Sequence, residues 1–294
     1  VEAHAGHLTQ PTAIHPATTI GAVRLIVANP DRARAFYERV LGLRTAERAD
    51  GLLSLSAGGP PLVELRGDRS ARPLDTNAPG LFHQAILMPD RQSLAMALAR
   101  VAAAGWPLTG ASDHLVSEAL YLTDPEGNGI EIYRDRPRKE WTYQDGQLAM
   151  STLPLDLDNL LGELSDLSEL PPEAPPDTRM GHVHLQVSDL KAAENFYSGV
   201  LGLDVTVRGY PGALFVSAGG YHHHLGLNTW HSRGAEPRQP GSVGLDRFEI
   251  VVPDATELER RVEHARSRGA EIEPEPEGWL TRDPSGNRVL LRAA

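Results

Sequence analysis

Three short segments, far apart in the chain, supply two histidines and one carboxylate. They are His83 in Gly80-Leu-Phe-His83-Gln-Ala-Ile-Leu, Glu131 in Asp124-Pro-Glu-Gly-Asn-Gly-Ile-Glu131-Ile-Tyr, and His182 in Met180-Gly-His182-Val-His-Leu-Gln-Val. Two neutral imidazoles and a carboxylate on one face of an octahedron bind Fe(II) and leave positions open for a substrate and O2. A lone strand histidine is more often core than ligand, and Glu131 alone reads as an ordinary strand residue. Their weight comes from occupying equivalent places in a repeated unit.

The repeat is visible in register. Gly21-Ala-Val-Arg-Leu-Ile-Val runs on to Phe36-Tyr37 and Val40-Leu-Gly-Leu43, and Gly181-His-Val-His-Leu-Gln-Val runs on to Phe196-Tyr197 and Val200-Leu-Gly-Leu203. A second pair matches Leu81–Gly105 with Leu245–Gly269, and Asp124-Pro-Glu-Gly-Asn128 recurs as Asp283-Pro-Ser-Gly-Asn287. Such internal repetition constrains the architecture before any motif is considered. Each copy opens on an alternating strand (Val23, Leu25, Val27; Val183, Leu185, Val187) and continues into an amphipathic helix, as in 30–40 and 190–200. Asn29, Asp90, Asp189 and Asp254 stand where N-caps belong, and capping is their expected role. Three short strands with Gly-rich turns follow. The pattern is βαβββ, four times, at about 19–66, 80–134, 179–228 and 242–292. Asp-Pro-x-Gly-Asn is a turn signal and reads as structural in both copies.

The chain has 294 residues, 40% hydrophobic, enough for two domains with their own cores. The expected division is a flexible tail over 1–18, modules 1 and 2 over 19–134, a connector over 135–178, and modules 3 and 4 over 179–294. The connector is rich in Pro and acidic residues and carries leucines at 153, 155, 157, 160, 161 and 164. It reads as a short amphipathic helix between flexible stretches, its leucines packing on the body or on a second subunit. His4, His7 and His15 of the tail read as solvated. Twenty-eight Lys and Arg against 39 Asp and Glu give a charge of −11, which argues against nucleic acid or an anionic membrane as partner. With no cysteine, any metal must sit on His, Asp or Glu. No apolar run approaches bilayer length, so a soluble cytoplasmic protein is expected, with a homo-oligomer possible.

Repeated βαβββ units with Phe-Tyr-x-x-Val-Leu-Gly-Leu after the first helix resemble the vicinal oxygen chelate superfamily, which includes glyoxalase I, extradiol dioxygenases and bleomycin-resistance proteins. The resemblance implies an α+β fold in which four βαβββ modules pair into two eight-stranded cup-shaped half-barrels. It also implies ligands on the first and last strands of each module. The first-strand positions are then Ala22, His83, His182 and Arg247, and the last-strand positions include Glu64, Glu131, the run Tyr221-His222-His223-His224, and Leu290. Pairing modules 1 with 2 and 3 with 4 leaves neither cup with two histidines and a carboxylate. Pairing 2 with 3, within a chain or across subunits, gathers His83, Glu131 and His182 in one cup. The 1–4 pair is then a metal-free structural half, with Arg247 a salt-bridging replacement for a lost ligand.

The shorter catechol-2,3-dioxygenase-like proteins are the most similar members. The resemblance implies Fe(II), with Mn, Ni or Zn as alternatives, an aromatic diol and O2 as substrates, and cleavage beside the diol. Tyr121, ten residues before Glu131, and His114 are implied to hydrogen-bond the substrate. An acid–base histidine is implied from 222–224, with His223 and His224 favoured. His184 reads as cup wall, and Phe82 and Trp230 as pocket walls. A metal-dependent isomerase or lyase of the glyoxalase or epimerase kind, and a non-catalytic aromatic-binding protein, are the alternatives.

Overall fold

A computed structural model describes residues 13–48, 50–144, 147–166 and 170–294; His4 and His7 lie outside these described residues. The first unit comprises β1 (Thr19–Val27), α1 (Pro30–Arg39), β2 (Arg44–Glu47), β3 (Leu53–Ser56) and β4 (Val63–Gly67). The second comprises β5 (Gly80–Leu87), α2 (Arg91–Ala103), β6 (Gly110–Asp113), β7 (Ser117–Thr123) and β8 (Gly129–Asp135). A ribbon of β9 (Tyr143–Gln144) and β10 (Gln147–Leu148) follows, then β11 (Leu153–Pro154) and α3 (Leu157–Leu161). The third unit holds β12 (Arg179–Gln186), α4 (Leu190–Glu194), a π-helical turn over Asn195–Val200, β13 (Asp204–Val207), β14 (Ala213–Ser217) and β15 (Leu225–Asn228). The fourth holds β16 (Gly244–Val252), α5 (Ala255–Ser267), β17 (Ile272–Glu275), β18 (Gly278–Arg282) and β19 (Arg288–Ala293).

The four N-caps are made as expected. Asn29 accepts from Arg32 N–H, Asp90 from Ser93, Asp189 from Ala192 and Asp254 from Glu257. Each satisfies a first-turn donor that has no carbonyl partner inside the helix. The two repeated motifs also meet each other. Tyr37 donates to Asp124 at 3.3 Å and Tyr197 to Asp283 at 3.0 Å, while each aspartate gathers the amides of its own turn. Both Asp-Pro-x-Gly-Asn segments are therefore turn scaffolds.

Two curled sheets result. One runs β17-β18-β19-β16-β1-β4-β3-β2, joining units 1 and 4 through the antiparallel β1–β16 pair. The other runs β11-β6-β7-β8-β5-β12-β15-β14-β13, joining units 2 and 3 through β5–β12. The second pairing weighed from sequence is thus the one adopted, within a single chain. Alternation along the central strands sends Val23, Leu25, Val183, Leu185, Phe248 and Ile250 into one buried apolar cluster. Burying each such side chain stabilises by about 1.5–3 kcal/mol. The opposite faces of the same strands are left to form the cups.

The connector does more than join halves. Leu153 and Pro154 pair with Asp113 and Ser112, adding a ninth strand to the inner sheet. Leu160 is buried, and Leu155, Leu157, Leu161 and Leu164 pack against the core of their own chain.

In the outer cup two of the four ligand positions, Glu64 and Arg247, carry ion pairs. Glu64 receives Arg24 Nε at 2.8 Å and Arg48 Nη1 at 2.9 Å, and buried Arg247 pairs with Glu275 at 3.2 Å and with Glu277. Burial raises the Glu277 carboxyl, but Arg48, Arg247 and Arg24 outweigh it and hold the pKa at about 2, against an ordinary 4.5. A depressed carboxylate contributes stability that is full above its unfolded pKa and lost as pH falls through the folded one. Glu277→Gln is therefore expected to lower the urea midpoint at neutral pH. It should also flatten the loss of stability between about 4.5 and about 2, as followed by circular dichroism.

Candidate metal centre and its cavity

Three adjacent strands of the inner cup, β8, β5 and β12, carry the sequence-predicted trio. Ala85 pairs with Glu131 on one side and His182 on the other, and His83 lies two residues before it on the same face. Small Ala85 thus leaves room between them. His83 Nε2 lies 2.9 Å and His182 Nε2 3.1 Å from Glu131 Oε2, and the candidate donor atoms of the three residues all fall within 4.8 Å of one another. Among the described residues this is the group placed to hold a metal ion.

The surroundings hold these side chains in place. The Tyr133 ring lies tilted against that of His182, with centroids 4.8 Å apart. A Cβ at Gly181 would come 1.8 Å from the Tyr133 hydroxyl, which accounts for glycine immediately before His182. Gly226 plays the same part under His184, whose ring would lie 2.8 Å from an added Cβ.

All three residues are buried. Burial pushes the Glu131 carboxyl up, but His182 and His83 outweigh it and hold it well below the carboxylate range. Burial pushes His182 down to about 4. Glu131 is thus a carboxylate and His182 a neutral imidazole. His83 Nε2 is buried and makes no well-formed hydrogen bond despite its short approach to Glu131. A divalent cation would satisfy that atom and offset the buried negative charge, so these residues fit a metal.

A cavity of about 260 Å³ opens beside the trio and is lined by two of its members, His83 and Glu131. Phe82, Met150, Phe215 and Trp230 form apolar walls, as Phe82 and Trp230 were expected to do. Tyr121, the cross-strand partner of Glu131, and His114 enter from β7 and the turn before it. His114 Nδ1–H donates to the Ser151 carbonyl at 2.7 Å, so that in the neutral ring Nε2 accepts from Tyr121 Oη–H, 2.6 Å away. Ser151 belongs to the connector, in a stretch for which the sequence suggests no part in the site.

The histidine run divides. Residues 221–224 form an irregular, bent segment ahead of β15 rather than part of the strand, so strand parity does not order them. His223 faces the cavity, its ring centroid 4.1 Å from that of His182. His224, expected beside it, is instead turned away: its Nδ1 accepts from Ala218 N–H at 3.1 Å and its ring packs on Tyr221. His222 lies behind His223, with Nε2 2.8 Å from Asp135 Oδ1. His184 was read only as wall. It lines the cavity with a buried Nε2 that has no partner, and its ring centroid is 4.9 Å from that of His83. Its position two residues after His182 on the same face was the available signal.

Four βαβββ units, paired into two cups with a His-His-Glu cluster in one, define a class. The sequence pattern of the Glyoxalase/Bleomycin resistance protein/Dioxygenase superfamily matches residues 19–132 and 179–291, and the chain belongs to that superfamily. The chain is 44% identical to catechol-2,3-dioxygenase of Bacillus subtilis (strain 168) over 278 residues, 93% of this chain and 96% of that one. It is 31% identical to biphenyl-2,3-diol 1,2-dioxygenase 2 of Rhodococcus globerulus, over 39% of this chain and 62% of the relative. Among solved structures it resembles glyoxalase I from Zea mays with a TM-score of 0.56 at 17% identity, covering 94% of this chain and 92% of that one. That likeness speaks to the fold alone. The relatives support a dioxygenase-like enzyme of a metal-dependent superfamily. No helix among the described residues is long and apolar enough to cross a membrane.

Proposed function

We propose that the chain is an Fe(II)-dependent extradiol dioxygenase that opens the ring of a catechol-type diol beside its two hydroxyls. The observation that carries this reading is the convergence of His83, Glu131 and His182, the first two of which line an aromatic-walled cavity. The 44% identity to a catechol-2,3-dioxygenase supports it. Bound by the trio, Fe(II) would lower the proton affinity of the diol and offer a path for electrons to O2.

The remaining groups act on the substrate directly. His223 takes a hydroxyl proton at its cavity-facing nitrogen and later returns it. Tyr121 donates its own proton to His114 and so presents oxygen lone pairs to the diol. Ser151 fixes the His114 ring through Nδ1. Phe82, Phe215 and Trp230 hold the ring and keep water out. Against an isomerase of the glyoxalase kind stands Glu64, a candidate carboxylate base, which is engaged by Arg24 and Arg48 in the other cup.

The test is product identity after Fe(II) reconstitution without air, followed by catechol and O2. A ring-opened semialdehyde supports the proposal. A dicarboxylic muconate, or turnover of a hemithioacetal with no oxygen consumed, overturns it.

Among the described residues that line the cavity there is no Lys or Arg, and Glu131 is its one acidic group. A carboxylated diol would bury a charge without a partner. Methylcatechol is therefore expected to exceed carboxylated catechol in kcat/KM by about a hundred-fold, since an unpaired buried charge costs several kcal/mol and each ~1.4 kcal/mol is tenfold. Steady-state oxygen uptake measures the ratio.

A further inference from the structure

Behind His223 lies a chain of buried and half-buried polar groups that the proposed reaction has not yet used. His223 Nδ1 is 2.8 Å from His222 Nδ1, and His222 Nε2 is 2.8 Å from Asp135 Oδ1. Asp135 also accepts from Tyr221 Oη–H at 3.1 Å, and the Tyr221 and Tyr133 hydroxyls are 2.7 Å apart. Asp135 closes β8, four residues after Glu131, while His222 and His223 come from the irregular segment before β15. The contact therefore spans the two units that form the cup.

The donor and acceptor roles follow in order from the carboxylate. Ionised, Asp135 can only accept, so His222 Nε2 carries the hydrogen. A neutral His222 then has its lone pair on Nδ1, and the short contact there requires His223 Nδ1 to carry a hydrogen. In a neutral His223 this leaves the lone pair on Nε2, for which the described residues offer no partner, in a side chain that lines the cavity. Which ring nitrogen holds the proton is decided by the bond that the other one makes.

We propose that Asp135 and His222 are positioning residues: they fix His223 as the Nδ1–H tautomer and aim its Nε2 lone pair at the bound diol. The inference rests on the dioxygenase reading and deepens it. Burial of His222 between Trp141 and Tyr221, with ring centroids at 5.6 and 4.0 Å, keeps water from substituting for it. Neither residue is placed to reach the substrate, so both act through His223.

The test compares His222→Phe, which has no acceptor, with His222→Gln, whose amide oxygen can again accept from His223 Nδ1–H. Each variant is loaded with Fe(II), and iron content, KM and kcat for catechol are measured. His222→Phe is expected to keep its iron and a KM close to wild type while kcat falls roughly ten- to a hundred-fold, part of the ~10²–10⁴ that general acid–base catalysis supplies. His222→Gln should recover most of that loss, and Asp135→Leu should fall between the two. A wild-type kcat in iron-loaded His222→Phe overturns the relay. So does an equal loss in the Phe and Gln variants, which marks a packing role only. Failure of the dioxygenase reading is distinguishable, because the iron-loaded wild type itself would then consume no oxygen with catechol.

Discussion

His223→Asn is expected to load iron like the wild type and to lose about a hundred- to ten-thousand-fold in kcat, the range that a positioned acid–base group contributes. The expectation rests on geometry. His223 is the member of the histidine run that enters the cavity, and its ring lies against that of His182. Burial among other imidazoles pushes its pKa well below the ordinary histidine value, so the ring is neutral and its lone pair available. A base of low proton affinity also gives the proton back readily, as a group acting first as base and then as acid must. His224→Asn supplies the control. That residue caps Ala218 N–H away from the cavity, and its replacement should leave kcat within a few-fold of wild type. Oxygen uptake at saturating catechol, normalised to bound iron, measures both variants.

Glu131→Ala is expected to abolish stoichiometric iron binding, and activity with it. Glu131 supplies the trio's only negative charge and stands between two imidazoles, with Oε2 within 3.1 Å of each. Its loss should weaken the metal by more than about a hundred-fold, the most that removing a mere outer-shell partner typically costs. Metal analysis after desalting measures this directly. A second readout separates lost metal from lost fold. Fe(II) at about a hundred times its dissociation constant stabilises a protein by about 2.7 kcal/mol, and that increment should vanish in Glu131→Ala while the metal-free variant still unfolds cooperatively. A variant that kept stoichiometric iron would place the metal elsewhere.

Local signals carried the scaffold well. The four N-caps are set by a polar residue and the amide three positions on, and the motif names both partners. The trio was legible because repetition assigned a register to every unit, and the same register placed Ala22, Arg247 and Leu290, none a ligand side chain, at the equivalent positions of the outer units. The choice between the two pairings followed from chemistry, since only one brings His83, Glu131 and His182 together.

What escaped sequence reading depends on contacts that no local period encodes. The segment at 221–224 is irregular and bent, and a rule based on strand alternation cannot divide three consecutive histidines within it. Pro-rich, acidic composition marked the connector as a spacer. Composition does not show that Leu153 and Pro154 would extend a sheet edge, or that Ser151 would hold His114. Asp135 drew no notice because its partner, His222, lies on another unit 87 residues away. His184 was visible beside His182, but the free Nε2 that singles it out is a property of the folded aromatic cluster around it.

Dioxygen uptake on adding catechol to the Fe(II)-reconstituted protein, compared with the metal-free protein and Glu131→Ala, tests the assignment most directly. Consumption of one O2 for each diol, seen only with iron and only when Glu131 is present, is the expected result. Consumption of catechol without oxygen, or equal uptake by the metal-free protein, would contradict it.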